Sequence, residues 1–572
     1  MSEDSTKTRD LILLSLIATC ASVAALAYYY RHDAVLLYGD AVAHINIARR
    51  VFDSRRPGPG QLGTVWLPLP HVLMLPFIIS KWAWQTGIGG AIPSMVGYVA
   101  GVVGIFRLLW RGLQGIGASR GRARLAAWLG AVAFGANPNL LYLQATPMGE
   151  SLYLAFFIWA VVFLAEFVYS LQGAGEAEDL AHITGAGLRR RFTGIFQISS
   201  GGLALRWCGV MLLCGMLTRY DGWFVSAWFG GAVLLAMVVH GVRSRARSEV
   251  GRNFAIFVFL LAIGPAFWLA WNKTYFGNAL EWMNGPYSAR AIMQRGFAKG
   301  YPPHPGYHDV KTAAVYYVKC AKLNLAGNNL GGGGARYGWP RRIEMTWPVL
   351  ALAGTGLMLA FAPSLWPLLL LWVPLLFYTI AIAYGGVPIF MPVWWPFSFY
   401  NVRYGLQMLP AAAVFAAMAV YFPTALAQNR IATTAVAIAA FAFLGVSYGS
   451  IWKSGPVCLH EAQENSGVRI GLERRLGDRL RALPENSTLM MQVGYYVGAL
   501  ERAGIPLKRT INETDFKLWK STLADPAAHA DYLVAAQGDR VAAVARDHSE
   551  QFAVIETLTA PGEPTVTIYK KR

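Results

Sequence analysis

This chain should fold as an all-α polytopic membrane protein of about eleven transmembrane helices, with a small C-terminal α/β extramembrane domain. Three observations lead there. Hydrophobic residues make up 55% of the chain and charged ones only 14%, too apolar a balance for a water-soluble surface. The charge-free runs are long enough to cross a bilayer. From Lys453 onward the composition turns soluble, and short strand-like and helix-like segments follow one another.

Residues 11–30 carry no charge, and no A-x-A-like site follows, so they are expected to be retained as the first helix. A polar stretch, 31–66, comes next. Residues 67–80 are apolar but short and contain Pro68, Pro70 and Pro76, which suits a re-entrant or interfacial segment better than a span. Further spans are expected at 91–110, 125–142, 151–171, 200–218, 222–239 and 253–272. Residues 273–345 then read as a long loop rich in Gly, Tyr, Pro and Asn, with Gly331–Gly334 as a flexible patch. Residues 345–402 hold no charge and divide into two helices at Pro363. Spans at 404–423 and 431–452 complete the eleven. The domain division is thus 1–452 for the membrane domain, with outer loops 31–90 and 273–345, and 453–572 for the α/β domain. Within the latter, strands are expected near 489–493, 532–535, 552–555 and 566–569, and helices near 469–483 and 541–547.

The net charge of +19 does not point to nucleic acid. The arginines cluster in the short loops 111–124, 172–200 and 240–252, as the positive-inside rule expects. If the N-terminus is cytoplasmic and 67–80 does not cross, all three loops fall inside. The same arrangement puts 31–90, the turn at Glu150, and the Arg219/Asp221 pair on the outer face, with the C-terminal domain. A multi-pass protein of a bacterial inner membrane is the expected setting. Five cysteines occur without CxxC spacing. Cys20, Cys208 and Cys214 read as inert helix packing. Cys320 and Cys458 fall in outer segments, where a disulfide between them is conceivable but has no local signal.

Chemistry concentrates on the outer face. If Gly39 opens a helix, Asp40 lies in its first turn and His44 on the same face one turn on. Glu150, Arg219, Asp221 and Arg403 sit at membrane boundaries, where ionisable groups are costly and tend to be functional. Each also has a plain structural reading. Asp40 can cap a surface helix. Glu150 can complement a helix dipole. Arg219 and Asp221 can form an interfacial ion pair. Arg403 can anchor among Tyr400, Tyr404 and Trp395. Carboxylates and arginines facing one compartment suit a base that activates an acceptor and cations that hold a phosphate leaving group. A lipid-linked substrate would reach them from the bilayer. That describes glycosyl transfer from a polyprenyl-phosphate sugar. The competing reading is a transporter or flippase of lipid-linked glycans, which would need polar groups at the bilayer midplane and discontinuous helices.

The motifs carry a resemblance. YGDAVAHINIARRVFD, PMGESLYL, TRYDGW and NVRYGLQMLPAAAVFAA resemble elements of the GT-C fold integral-membrane glycosyltransferases, with ArnT-like, RgtA/B/C/D-like and protein O-mannosyltransferase-like enzymes as the nearer relatives. The resemblance covers about 11–450. It implies an inverting glycosyltransferase with Asp40 at the acidic position of the first outer loop; Ala41 stands where the family often has a second acid. Asp40 would be the general base, with His44 positioning it or joining it on a divalent metal. Arg403 and Arg219 would bind the lipid phosphate, with Tyr404 beside them, and Glu150 and Asp221 the sugar or an arginine. A lipid, glycan or protein would be the acceptor. For Arg403, a phosphate partner is favoured over a carboxylate, because no acid lies near it in sequence.

Overall fold

The structure, a computed structural model, describes residues 3–572 apart from 64, 185–199, 240–245, 287, 299, 327–338, 386, 393–396 and 428. The arginines 189–191, 243 and 245 of the expected basic loops 172–200 and 240–252, Gly331–Gly334 and Trp395 lie outside the described residues.

The chain is a multi-pass helical membrane protein. Among the described residues, nine helices are long and apolar enough to cross a bilayer. Two of the eleven expected spans are shorter. Residues 125–142 do not form one helix: Arg120–Gly135 stops, and a separate turn, Pro138–Leu143, follows. The reason is local. Asn137 Oδ1 accepts from the backbone N–H of Asn139 at 3.0 Å and Leu140 at 3.1 Å, an Asx cap that starts a new helix just before a proline. The other short helix, Ser200–Met216, has 17 residues, roughly 25 Å at 1.5 Å per residue. Pro363 divides the uncharged stretch as expected, because Ala362 leaves the helical region between Trp339–Phe361 and the 3₁₀-helical Pro363–Trp372. Residues 67–80 form only the short helix Leu69–Met74 and a 3₁₀ turn.

The expected loop 273–345 is the main correction. It contains a 17-residue helix, Val310–Ala326, whose Ala313, Tyr316, Tyr317, Cys320, Ala321 and Asn324 are buried. Those positions recur at helical spacing, but lysines interrupt them and the flanks are rich in Gly and Pro. Cys320 and Cys458 are free thiols, not a disulfide. The Cys320 thiol donates to Val402 O at 3.1 Å and that of Cys458 to Asn324 Oδ1 at 3.3 Å.

The chain forms two compact units. The first comprises 1–22, 96–141 and 149–458 and holds most of the membrane helices. Backbones approach closely there: a Cβ on Gly354 would collide with the Phe415 carbonyl, so Trp339–Phe361 meets Leu409–Ala427 through a missing side chain. A charge pair joins two of its long helices. Arg107 binds both carboxylate oxygens of Glu166, at 2.7 and 3.0 Å, which removes the cost of leaving either alone in an apolar surrounding.

The second unit comprises 23–95, 142–148 and 459–572. Its sheet has the order β2-β1-β3-β5-β4, with β1 Leu489–Met491, β2 Thr510–Ile511, β3 Tyr532–Ala536, β4 Phe552–Leu558 and β5 Val566–Lys571. β1 runs parallel to β2 and β3, and β5 is antiparallel to β3 and β4. One apolar layer on the sheet is built from Met490, Ile511, Trp519, Val541 and Phe552. The other combines Leu472, Leu476, Leu500 and Val534 with Val42, Ile45 and Trp84 from the first outer stretch. That stretch therefore completes the core of the C-terminal sheet.

Candidate functional site

Polar residues converge in each unit. In the second, Gly39 opens the helix Gly39–Arg50 behind Tyr38, whose side chain makes no cap. Asp40 lies in the first turn, where the helix dipole favours a carboxylate, and is partly exposed. The helix is held from below. Arg469 donates to Leu37 O at 2.8 Å. Asn46 donates to Glu501 Oε2 at 2.7 Å and accepts from Trp84 Nε1 at 3.0 Å. Asp40 thus sits on a helix whose opposite face is fixed by packing and hydrogen bonds.

One turn on, His44 is buried, and its Nδ1 lies 2.7 Å from His71 Nε2. Trp66 packs beside His44 with ring centres 5.1 Å apart. His71 is wholly buried; desolvation, then His44 and Arg50, push its pKa well below the ordinary 6.5, so it stays neutral. Between two imidazoles one nitrogen must donate and the other accept, so the pair fixes both tautomers. Sequence reasoning passed over His71 as part of a proline-broken segment. The signal available was an imidazole on the apolar face of a short helix.

In the first unit, four expected site residues come together from three places in the chain. Glu150 opens the helix Glu150–Thr184, Asp221 opens Asp221–Val239 with Arg219 two residues before it, and Arg403 lies in the 3₁₀ turn Val402–Met408. Glu150 Oε1 accepts from Arg219 Nη1 at 3.2 Å and from Arg403 Nε at 3.1 Å. Arg219 Nε lies 3.2 Å from Asp221 Oδ1, and its Nη2 donates to Tyr378 OH at 3.0 Å. The Tyr378 hydroxyl in turn donates to Asp221 Oδ2 at 2.9 Å. The Tyr404 ring lies under both guanidiniums, 4.7 Å from Arg219 and 5.1 Å from Arg403, a cation–π arrangement. Glu150, Asp221 and Arg403 are all buried.

Arg403 has a carboxylate partner, Glu150, from 253 residues away in the chain. The turn that carries it is pressed against Val310–Ala326. A Cβ on Gly405 would come 2.5 Å from Cys320 O and from Asn324 Nδ2, and Tyr317 OH donates to Tyr404 O at 3.1 Å. The helix that sequence analysis missed is therefore what places Arg403 and Tyr404. Tyr378 and Tyr317, stacked with ring centres 4.8 Å apart, are the other members it missed.

Glu150 Oε2 is buried and has no hydrogen-bond partner among the described residues. A buried carboxylate oxygen left without a donor is costly, and such a position invites an explanation. No group of three or more His, Cys, Asp or Glu among the described residues forms a metal-binding set. His44 gives its Nδ1 to His71.

No family model and no curated protein sequence matches this chain. Solved structures do. ArnT from Cupriavidus metallidurans bound to undecaprenyl phosphate superposes over 98% of this chain and 98% of its own, with a TM-score of 0.54 and 11% identity. The same protein in the apo state gives a TM-score of 0.50 over the same shares and at the same identity. The oligosaccharyltransferase of Archaeoglobus fulgidus in complex with Zn and sulfate covers 97% of this chain and 72% of its own at 11% identity, with a TM-score of 0.46. Over nearly its whole length, the chain has the GT-C fold of ArnT.

Proposed function

We propose that this protein is a membrane glycosyltransferase that moves a sugar from a polyprenyl-phosphate donor to an acceptor on the extracytoplasmic face of a bacterial inner membrane. The observation that carries the reading is the buried Glu150–Arg219–Asp221–Arg403 cluster with its one unsatisfied carboxylate oxygen, in a fold also found in ArnT bound to undecaprenyl phosphate. Asp40 is the general base. Its carboxylate takes the proton of the acceptor hydroxyl or amine as that atom bonds to the anomeric carbon. The bond from that carbon to the phosphate oxygen breaks, and its electron pair leaves with the phosphate. Arg403 and Arg219 offset the growing negative charge, and their forks match phosphate oxygens in two-point geometry. Glu150 and Asp221 hold the two guanidiniums at fixed positions before the donor arrives, which lowers reorganisation in the transition state. Glu150 Oε2 is the acceptor for a sugar hydroxyl. Tyr404 supplies an aromatic wall to both cations.

His44 and His71 support the base. His71 fixes the ring of His44, one turn from Asp40, so the imidazole cannot swing away.

The test is transfer from radiolabelled polyprenyl-phosphate sugars, screened on purified wild type and Asp40→Asn. The variant should lose roughly 10²–10⁴-fold in rate with insertion unchanged, the range expected for a lost general base. Wild-type turnover in the variant would remove Asp40 from the role. Movement of the lipid between leaflets without transfer would replace the reading with a flippase.

A further inference from the structure

The second unit contains a feature that the glycosyl-transfer chemistry does not use. A cavity of about 380 Å³ opens between the short helix Lys81–Gln85 and the helix Gly467–Arg481. Gln85, Arg474, Asp478, Arg481 and Arg502 line it. Lys81 stands at its edge. Gly504, at φ +65°, leaves room for the ends of Lys81 and Gln85; a Cβ there would collide with the lysine and come 2.7 Å from Gln85 Nε2. Gln85 is tied down by donating to Arg502 O at 3.1 Å.

The wall is cationic beyond what the protein's own acids neutralise. Arg502 gives its Nε to Glu473 at 3.2 Å, and Arg469 shares that carboxylate. Arg481 donates to the neutral carbonyl of Ala503 at 3.2 Å and reaches a carboxylate, Asp478, only at 3.5 Å, with both side chains more than half exposed. Arg474 lies 3.8 Å from an open Asp33. Pairs this exposed and loose contribute little, so these guanidiniums are available to a stronger anion.

The location identifies the anion. Asp33 follows the membrane helix ending at Arg31 by two residues. Tyr30 of that helix packs on Trp82 of the short helix, with ring centres 6.4 Å apart. Ile79 and Trp82 are 69% and 57% exposed, a level that large apolar side chains reach where they meet lipid. Aromatic and aliphatic groups at a helix end, beside a basic hollow, are the two halves of a site for a molecule with a tail in the bilayer and a charged head above it.

We propose that this cavity holds the phosphate headgroup of an anionic membrane lipid, gripped by Arg474 and Arg481 and bounded by Lys81 and Arg502. It does not depend on the glycosyltransferase reading.

The experiment is native mass spectrometry on the full chain in detergent, titrated with phosphatidylglycerol or phosphatidylcholine. Wild type should retain phosphatidylglycerol selectively. Arg474→Gln with Arg481→Gln should weaken that retention by roughly 5-fold per arginine, about 30-fold for both, from the usual worth of one basic residue at an anionic surface. Asp478→Asn, which removes a competing carboxylate without touching the arginines, should strengthen it. Melting temperatures of all variants confirm that they are folded. Equal retention by wild type and the double arginine variant, or no preference for the anionic lipid, overturns the proposal. Displacement of the bound lipid by millimolar inorganic phosphate would mean that the site serves a soluble phosphate and overturns the lipid assignment.

Discussion

Glu150 is the residue on which the first unit's polar cluster turns. One of its oxygens serves two arginines, at 3.2 and 3.1 Å. Removing either arginine leaves the carboxylate with the other. Removing the carboxylate leaves Arg403 without that acceptor and Arg219 with only Asp221 and Tyr378. Glu150→Ala should therefore destabilise the protein more than Arg403→Ala. A cost of about 3–5 kcal/mol is usual when one partner of a buried ion pair is removed. Thermal melting of both variants in the same detergent checks the order; a larger loss for Arg403→Ala contradicts the shared-acceptor geometry. Arg403→Lys keeps the charge but not the fork and should fall between wild type and Arg403→Ala in donor affinity. The Arg219–Asp221 pair was expected from sequence; that one Glu150 oxygen serves both arginines was not. The candidate residues themselves were, because each is a charge at the edge of an apolar run. Which charge meets which depends on chain separations of 69 to 253 residues, over which spacing carries no information. Tyr378 and Tyr317 were invisible for another reason: a tyrosine on an apolar helix looks like packing until its hydroxyl finds a polar partner.

At the scale of elements, helices with long uncharged runs and the four longer strands were readable, since apolar period and length survive any tertiary context. Val310–Ala326 was not, because lysines interrupt its apolar pattern. β2, two residues long, leaves no pattern to read. The contact between Gly39–Arg50 and Val493–Ala503 was equally hidden. It depends on Glu501, whose carboxyl is buried, donated to by Asn46, and faced by Glu473, Arg502 and Arg469. Desolvation leads the causes that raise its pKa from 4.5 to about 8, with Glu473 adding to it and Asn46, Arg502 and Arg469 opposing. A folded-state pKa above the unfolded one means that the folded state binds the extra proton between those values. Stability from this group is fully present below pH 4.5 and is lost as pH rises through about 8. Glu501→Gln keeps an acceptor for Asn46 and cannot ionise. It should match wild type near pH 5 and exceed it at pH 9, by on the order of a few kcal/mol. Melting curves at the two pH values decide this; a parallel loss at both would mean that the carboxyl is needed in its charged form.

For the molecule as a whole, the distribution of arginines among loops sets an expected direction. An N-terminus inside, with an odd number of crossings, puts Arg572 outside and Arg430 inside. Reporter fusions after each position should show opposite sides. A cytoplasmic signal at Arg572 would mean that one expected crossing does not occur, and the short helices Arg120–Gly135 and Ser200–Met216 are the places to look. The class of fold was legible because a bilayer limits what a chain can do: apolar length alone selects helices. The grouping of 23–95 with 459–572 was not, since it joins the two ends of the chain across most of its length.

That grouping sets a clock on biosynthesis. Asn46 and Glu501 are 455 residues apart, and at synthesis rates of about 5–20 residues per second the second follows the first by roughly 20–90 s. During that interval Val42, Ile45 and Trp84 have been made, while the Leu472, Leu476 and Leu500 that bury them have not. A ribosome stalled before Leu472 leaves an inserted protein with an open apolar face, so the final folding step waits on elongation rather than on entry into the bilayer.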